Sequence, residues 1–274
     1  SEIQNLLEQS LQPIRIAAHG AGGLVVKALI ATKPELWKAL ALRNNAYVVM
    51  FGTPTSGAYS VVRMLSGQSH FTTLLAMSHD GLNEAEWCNQ LRRFPGLLEL
   101  LPQYDGKQYY AQKNWEKLDK QLAKNFSTDT QFEAPSSKAL KEASDTWQAL
   151  KTVSLADWAS NIRYVAGHAG QTPAYINFKA EDVQFVATAE GDGFTTWKEG
   201  IPEGIPSWFM PAQHGELLNT SEAFDAISEL LATGKTQKLS RSPLEATPGL
   251  NDFQEVMRKK PVSKEMRVRA DGLA

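Results

Sequence analysis

The chain has 274 residues, enough for one large α/β domain or two small ones, and its 28 basic against 30 acidic side chains leave a net charge of −2. An apolar share of 42% at near-neutral charge disfavours both intrinsic disorder and nucleic-acid binding. The single cysteine, Cys88, excludes an internal disulfide framework and a cysteine-rich zinc site and leans toward a reducing, cytoplasmic setting.

No apolar run approaches the length of a membrane span, and the first ten residues carry no positive-then-apolar signal pattern. Glu2 to Ser10 reads as an amphipathic helix with Ile3, Leu6 and Leu7 on one face, broken by Pro13. Ile14 to Ala18 reads as a buried strand, His19 to Gly23 as a turn of small residues, and Leu24 to Thr32 as the helix that follows. Pro34 to Leu42 continues helical. Ala46 to Phe51 is the next strand, a continuous apolar run of the kind parallel sheets bury on both faces. It ends in Gly52-Thr53-Pro54, with Gly57 shortly after.

Val61 to Leu155 holds no convincing core strand and reads as mostly helical, with a polar loop at Ser127 to Ser137. Asn161 to Ala166 returns to the sheet, Gly167 to Thr172 is a turn closed by Pro173, and Val183 to Thr188 is a further short strand. After Glu190-Gly191-Asp192-Gly193 comes a last strand, Ser207 to Pro211, which delivers Gln213-His214-Gly215. Ser221 to Thr233 is an amphipathic helix with Phe224, Ile227, Leu230 and Leu231 inward, stopped by Gly234. Lys235 to the end is more basic and proline-bearing and reads as a linker or docking tail, with one short helix at Asp252 to Arg258. The organisation expected is therefore core (1–60), helical lid (61–158), core again (159–234) and tail (235–274).

Strand, sharp turn and apolar helix over Ile14 to Lys27 resemble the nucleophile elbow of α/β-hydrolases, Gly-His-Ser-x-Gly-Gly in the lipase and acyltransferase kind. Gly52-Thr53-Pro54…Gly57 echoes a Gly-x-Pro-x-x-Gly turn found after the next strand of such lipases. The order elbow, Gly-Asp-Gly, histidine is that of α/β-hydrolase triads. Together these motifs, from about Ile14 to Thr233, resemble the family around the lecithin–cholesterol acyltransferases and related bacterial and GPI-remodelling lipases. The resemblance implies an α/β fold with a mainly parallel sheet and a helical lid. It implies an acyl ester or lipid as substrate or ligand, no cofactor and no metal. Asp192 takes the place of the triad acid, His214 that of the base, and the backbone N–H of Ala21 that of an oxyanion donor.

Two departures qualify it. The leading glycine is Ala18, and the nucleophile serine is Gly20, which has no atom with which to attack. The backbone at an elbow is strained and glycine relieves that strain, so Gly20 is expected to fold well and not to react. Only thirteen residues precede Ile14, so the strands such enzymes carry before the elbow are expected to be missing. The elbow strand would be a sheet edge, covered by an upstream segment or a second chain. The function expected is a serine esterase or lipase fold lacking its nucleophile, by natural decay or by substitution. The alternatives are a non-catalytic binding or scaffolding module, and slow direct attack by a water that His214 activates.

The remaining signals take blander readings. His19 reads as structural, His168 as a packing residue near a strand end, and Cys88 as a buried apolar residue. His70 and His79 lack the companion ligands of a metal site. Gly22 and Gly23 are not followed by the Lys-Ser or Lys-Thr of a phosphate loop. The tryptophans of the helical stretch, Trp87, Trp115 and Trp147, with Trp158 just beyond it, read as core.

Overall fold

The structure is a computed structural model that describes residues 2–78, 81–103, 106–123, 131–177, 183–243 and 254–256. It divides into two compact units: 1–57, 147–172 and 188–252 form the first, and 58–146, 173–187 and 253–274 the second. Among the described residues no helix is long and apolar enough to cross a membrane.

The first unit is built on a four-stranded sheet, all parallel, in the order β1 (Ile16–His19), β2 (Val48–Phe51), β3 (Ile162–Gly167), β6 (Ser207–Met210). α1 (Glu2–Gln9) precedes β1. α2 (Gly22–Thr32) and α3 (Pro34–Ala41) make the crossover from β1 to β2. β2 and β3 are buried at every residue, as the apolar run at Ala46 to Phe51 requires of a strand covered on both faces. One face carries Val48, Met50, Ile162, Tyr164 and Phe209 against Val26 and Ile30 of α2 and Trp37 and Leu40 of α3. The other carries Val49, Phe51, Val165, Trp208 and Met210 against Ile227 and Leu230 of α11 (Phe224–Thr233). This is the period-two alternation of strands sorting neighbouring side chains to two cores.

β1 ends the sheet, and among the described residues no strand pairs with its outer side. The opposite edge is covered. After Gly234 in the left-handed conformation stops α11, the chain turns back along β6: Phe209 N–H donates to Ser240 O at 2.8 Å, Trp208 Nε1–H to Thr236 O at 3.2 Å, and the Arg241 guanidinium lies 4.3 Å over the Trp208 ring. The segment expected as a tail therefore begins as an edge cover.

The second unit contains α4 (Tyr59–Leu65), α5 (His70–Met77), α6 (Glu84–Leu91), α7 (Pro95–Leu98) and α8 (Gln112–Ala123). α9 (Ser137–Lys151) starts in this unit and ends in the first. Arg92 knits the unit together from inside. Its Nε donates to Leu65 O at 2.9 Å, Nη1 to Glu133 O at 3.0 Å, and Nη2 pairs with Asp119 at 2.8 Å. Burial pushes the Asp119 carboxyl up, and the Arg92 charge opposes that. Cys88 is fully buried, and so are Trp115 and Trp147.

Three sequence expectations are corrected. Pro173 does not close a turn but sits in β4 (Thr172–Asn177). β4 is the outer strand of a second sheet, ordered β4, β5 (Gln184–Thr188), β7 (Gln254–Val256), and an edge is where a strand tolerates proline. Of the helix expected at Asp252 to Arg258, residues 254–256 are instead the strand β7, antiparallel to β5, and the remainder lies outside the described residues, as does His79. Phe224 is 55% exposed rather than inward, because it opens α11 directly after a 3-10 turn at Ser221–Ala223.

Candidate functional site

Two turns at the C-terminal ends of the parallel strands β1 and β6, the rim where open α/β sheets place their ligands, meet the Asp192 loop, which follows β5 of the second sheet. β1 runs out at Gly20, whose N–H makes one more rung to Phe51 O at 2.9 Å. Gly20 then adopts φ +52°, the left-handed turn that lets α2 start two residues later. The turn is tight enough to forbid bulk: a β-carbon on Gly23 would lie 2.2 Å from Thr53 Oγ1. Ala21, exposed and helical in its backbone, precedes α2 without a side-chain cap. Among the described residues its N–H donates to no acceptor.

Asp192 lies in a miniature hairpin closed by the bridge between Gly191 and Thr196. Its carboxylate is 2% exposed and fully used. Oδ1 accepts the N–H groups of Phe194 at 2.9 Å and Thr195 at 2.6 Å, the short-range bonding that makes Asp a turn residue. Oδ2 faces His214 Nδ1 at 2.8 Å. Gly193 takes φ +92°, and its N–H donates to Thr172 Oγ1 at 2.8 Å, so the loop is held from its far side as well.

His214 opens a 3-10 turn beyond β6 and is tied to Asp192 twice, since its own N–H also donates to Asp192 O at 2.8 Å. A carboxylate can only accept, so Nδ1 carries the proton and Nε2 presents its lone pair. Nε2 faces Gly20. A β-carbon placed on Gly20 would lie 3.1 Å from Nε2 and 3.6 Å from Cε1, and apart from its chain neighbours it would meet no other described atom within 4 Å. The structure thus brings Gly20, Ala21, Asp192 and His214 to one place, with a polarised imidazole aimed at a position that carries no side chain.

Several further residues hold this arrangement together. His19 Nε2–H donates to the His214 carbonyl at 2.8 Å, and the two rings lie 4.6 Å apart. Phe194 adds a ring contact to His214 at 4.8 Å. Gly52, φ +55°, forms the floor: a β-carbon there would fall 2.5 Å from Asp192 Oδ2 and 2.9 Å from His214 Nδ1. Thr195 Oγ1–H donates to Gly52 O at 3.0 Å, and Trp197 Nε1–H donates to Gly167 O at 2.7 Å, fastening the Asp192 loop to the ends of β2 and β3. His19 stands at the histidine of the Gly-His-Ser-x-Gly-Gly pattern, whereas the signal for Phe194 was adjacency, two residues after Asp192. Nothing in composition or period pointed them at His214. His168 stands apart, with its ring 5.9 Å from Trp197.

Among the described residues no group of three or more His, Cys, Asp or Glu side chains could hold a metal ion. Comparison of the sequence with models of known protein families gave no match, and comparison with curated proteins gave none.

Proposed function

We propose that the chain is a serine esterase or lipase of the α/β-hydrolase type whose nucleophile position is vacated. In this reading it belongs with the lecithin–cholesterol acyltransferase-like lipases. The ester of a lipid or small alcohol is its substrate or ligand, and the helical stretch between β2 and β3 is its lid. One observation carries the reading: an aspartate-oriented imidazole presents Nε2 3.1 Å from where a β-carbon on Gly20 would stand. Asp192 fixes the tautomer, His214 is the base, and the Ala21 N–H is the donor for a developing oxyanion. Without a hydroxyl at position 20 no acyl-enzyme forms.

The test is Gly20→Ser assayed on short-chain p-nitrophenyl esters. Hydrolysis should rise well above that of the parent protein and fall back on adding His214→Ala. A folded Gly20→Ser protein that is no faster than the parent would sink the reading.

A second reading, a binding or scaffolding module, is favoured by the open outer side of β1, a row of backbone groups available to another strand. Self-pairing through that edge should appear in light scattering as a dimer that Ala17→Pro dissociates. A monomer at all concentrations counts against self-pairing.

A further inference from the structure

The hole at Gly20 lies against a base that is already assembled. His214 is oriented by Asp192 through both side chain and backbone, with no contribution from position 20. The only described atoms near the missing β-carbon, its chain neighbours aside, are those of the imidazole, so no other side chain fills the space. The His214 side chain is 21% exposed, while the Asp192 side chain that faces its Nδ1 is 2% exposed. What a serine would have added here is a CH2OH group. Methanol is that group with one more hydrogen, and water is its oxygen alone, with a liquid volume share of roughly 30 Å3.

We infer that the vacated position takes a small external nucleophile, water or a short primary alcohol, which His214 deprotonates for direct attack on a bound acyl ester. This rests on the ester-site reading above and adds an activity to it. The O–H bond of the nucleophile breaks and its proton passes to Nε2 as its oxygen bonds to the acyl carbon. The carbonyl oxygen becomes an oxyanion facing the Ala21 N–H. The oxyanion then collapses, the bond to the leaving oxygen breaks, and Nε2 returns its proton to that oxygen. Water yields the carboxylic acid and methanol yields the methyl ester, each with the released alcohol and with no change of net charge. There is no covalent enzyme intermediate, so the rate is first order in nucleophile and shows no burst.

The experiment uses the chain as it stands, with p-nitrophenyl butyrate and rising methanol, reading p-nitrophenol release and methyl butyrate by gas chromatography. The rate should climb linearly with methanol and exceed the protein-free methanolysis on the order of 100-fold, the lower end of what a positioned general base supplies. His214→Ala should abolish the methanol response. So should Gly20→Ala, whose methyl occupies the hole while circular dichroism reports the fold intact. If the parent's methanolysis equals the protein-free rate while Gly20→Ser hydrolyses esters, the inference is overturned and the ester site stands. If neither variant nor parent acts, both are overturned. A methanol response that survives Gly20→Ala places the nucleophile elsewhere and also overturns the inference.

Discussion

His19 and His214 stand 195 residues apart in the chain and touch twice, ring to ring at 4.6 Å and by a 2.8 Å bond from His19 Nε2–H to the His214 carbonyl. The residue before Gly20 therefore holds the backbone of the residue proposed above as the base. On that proposal His19 is a positioning residue, because it touches His214 and not the position of the reacting atoms. In the Gly20→Ser background, His19→Ala should lower kcat about tenfold with KM little changed, and His19→Gln, which keeps an N–H donor, should restore part of it. The bond itself should contribute about 1 kcal/mol in urea unfolding. A variant in which only KM moves would refute the positioning role.

Gly52 and Gly215 make a matched pair of tests. A β-carbon on Gly52 would fall 2.5 Å from Asp192 Oδ2, 2.8 Å from Leu217 and 2.9 Å from His214 Nδ1, at φ +55°. One on Gly215 would meet nothing within 4 Å. Gly52→Ala should cost about 3 kcal/mol or more, combining backbone strain with displacement of a buried hydrogen-bonded pair. Gly215→Ala should stay within about 0.5 kcal/mol. Equal effects in denaturant titrations would contradict the floor assigned to Gly52.

The need for a small residue at Gly23 can be traced to one neighbour. Thr53 is fully buried, and its hydroxyl has no hydrogen-bond partner among the described residues. Gly23→Ala alone should destabilise by about 1–3 kcal/mol through overpacking. Thr53→Ala removes the Oγ1 and Cγ2 that a new β-carbon would strike at 2.2 and 2.5 Å, so the double variant should recover about 1 kcal/mol or more of that loss. Additivity of the two changes would show that α2 is excluded by something other than this side chain.

Cys88 makes a prediction about alkaline stability. Burial pushes its thiol up to about 12, outweighing the nearby Arg92 charge that pulls it down. An unfolded chain releases that proton near pH 8.5 while the folded one keeps it, so stability falls as pH rises from about 8.5 toward 12. The contribution is about 1.4 kcal/mol per pH unit inside that window. Cys88→Ala should lower stability at neutral pH by leaving a cavity, yet lose less between pH 8.5 and 10.5 than the parent does. Parallel slopes would mean the thiol ionises in place.

Local chemistry makes much of the chain legible in the sequence alone. Alternation and apolar runs placed β2, β3 and β6 within two residues, Gly234 stopped α11, and the turn signals at Gly20, Gly191 to Gly193 and Gly215 could be read in order. Period and turn propensity act over a few neighbouring residues, so a sequence carries them openly. It could not say that Pro173 lies in an edge strand, that Phe224 faces out, or that Thr236 to Arg241 returns along β6. Nor could it say that His19 and Phe194 meet the His214 ring, or that Gly52 must lack a β-carbon because a carboxylate and an imidazole lie over it. Those facts depend on which strand ends the sheet sets side by side. That choice is made by burying two faces of one sheet at once, and no window of sequence contains it.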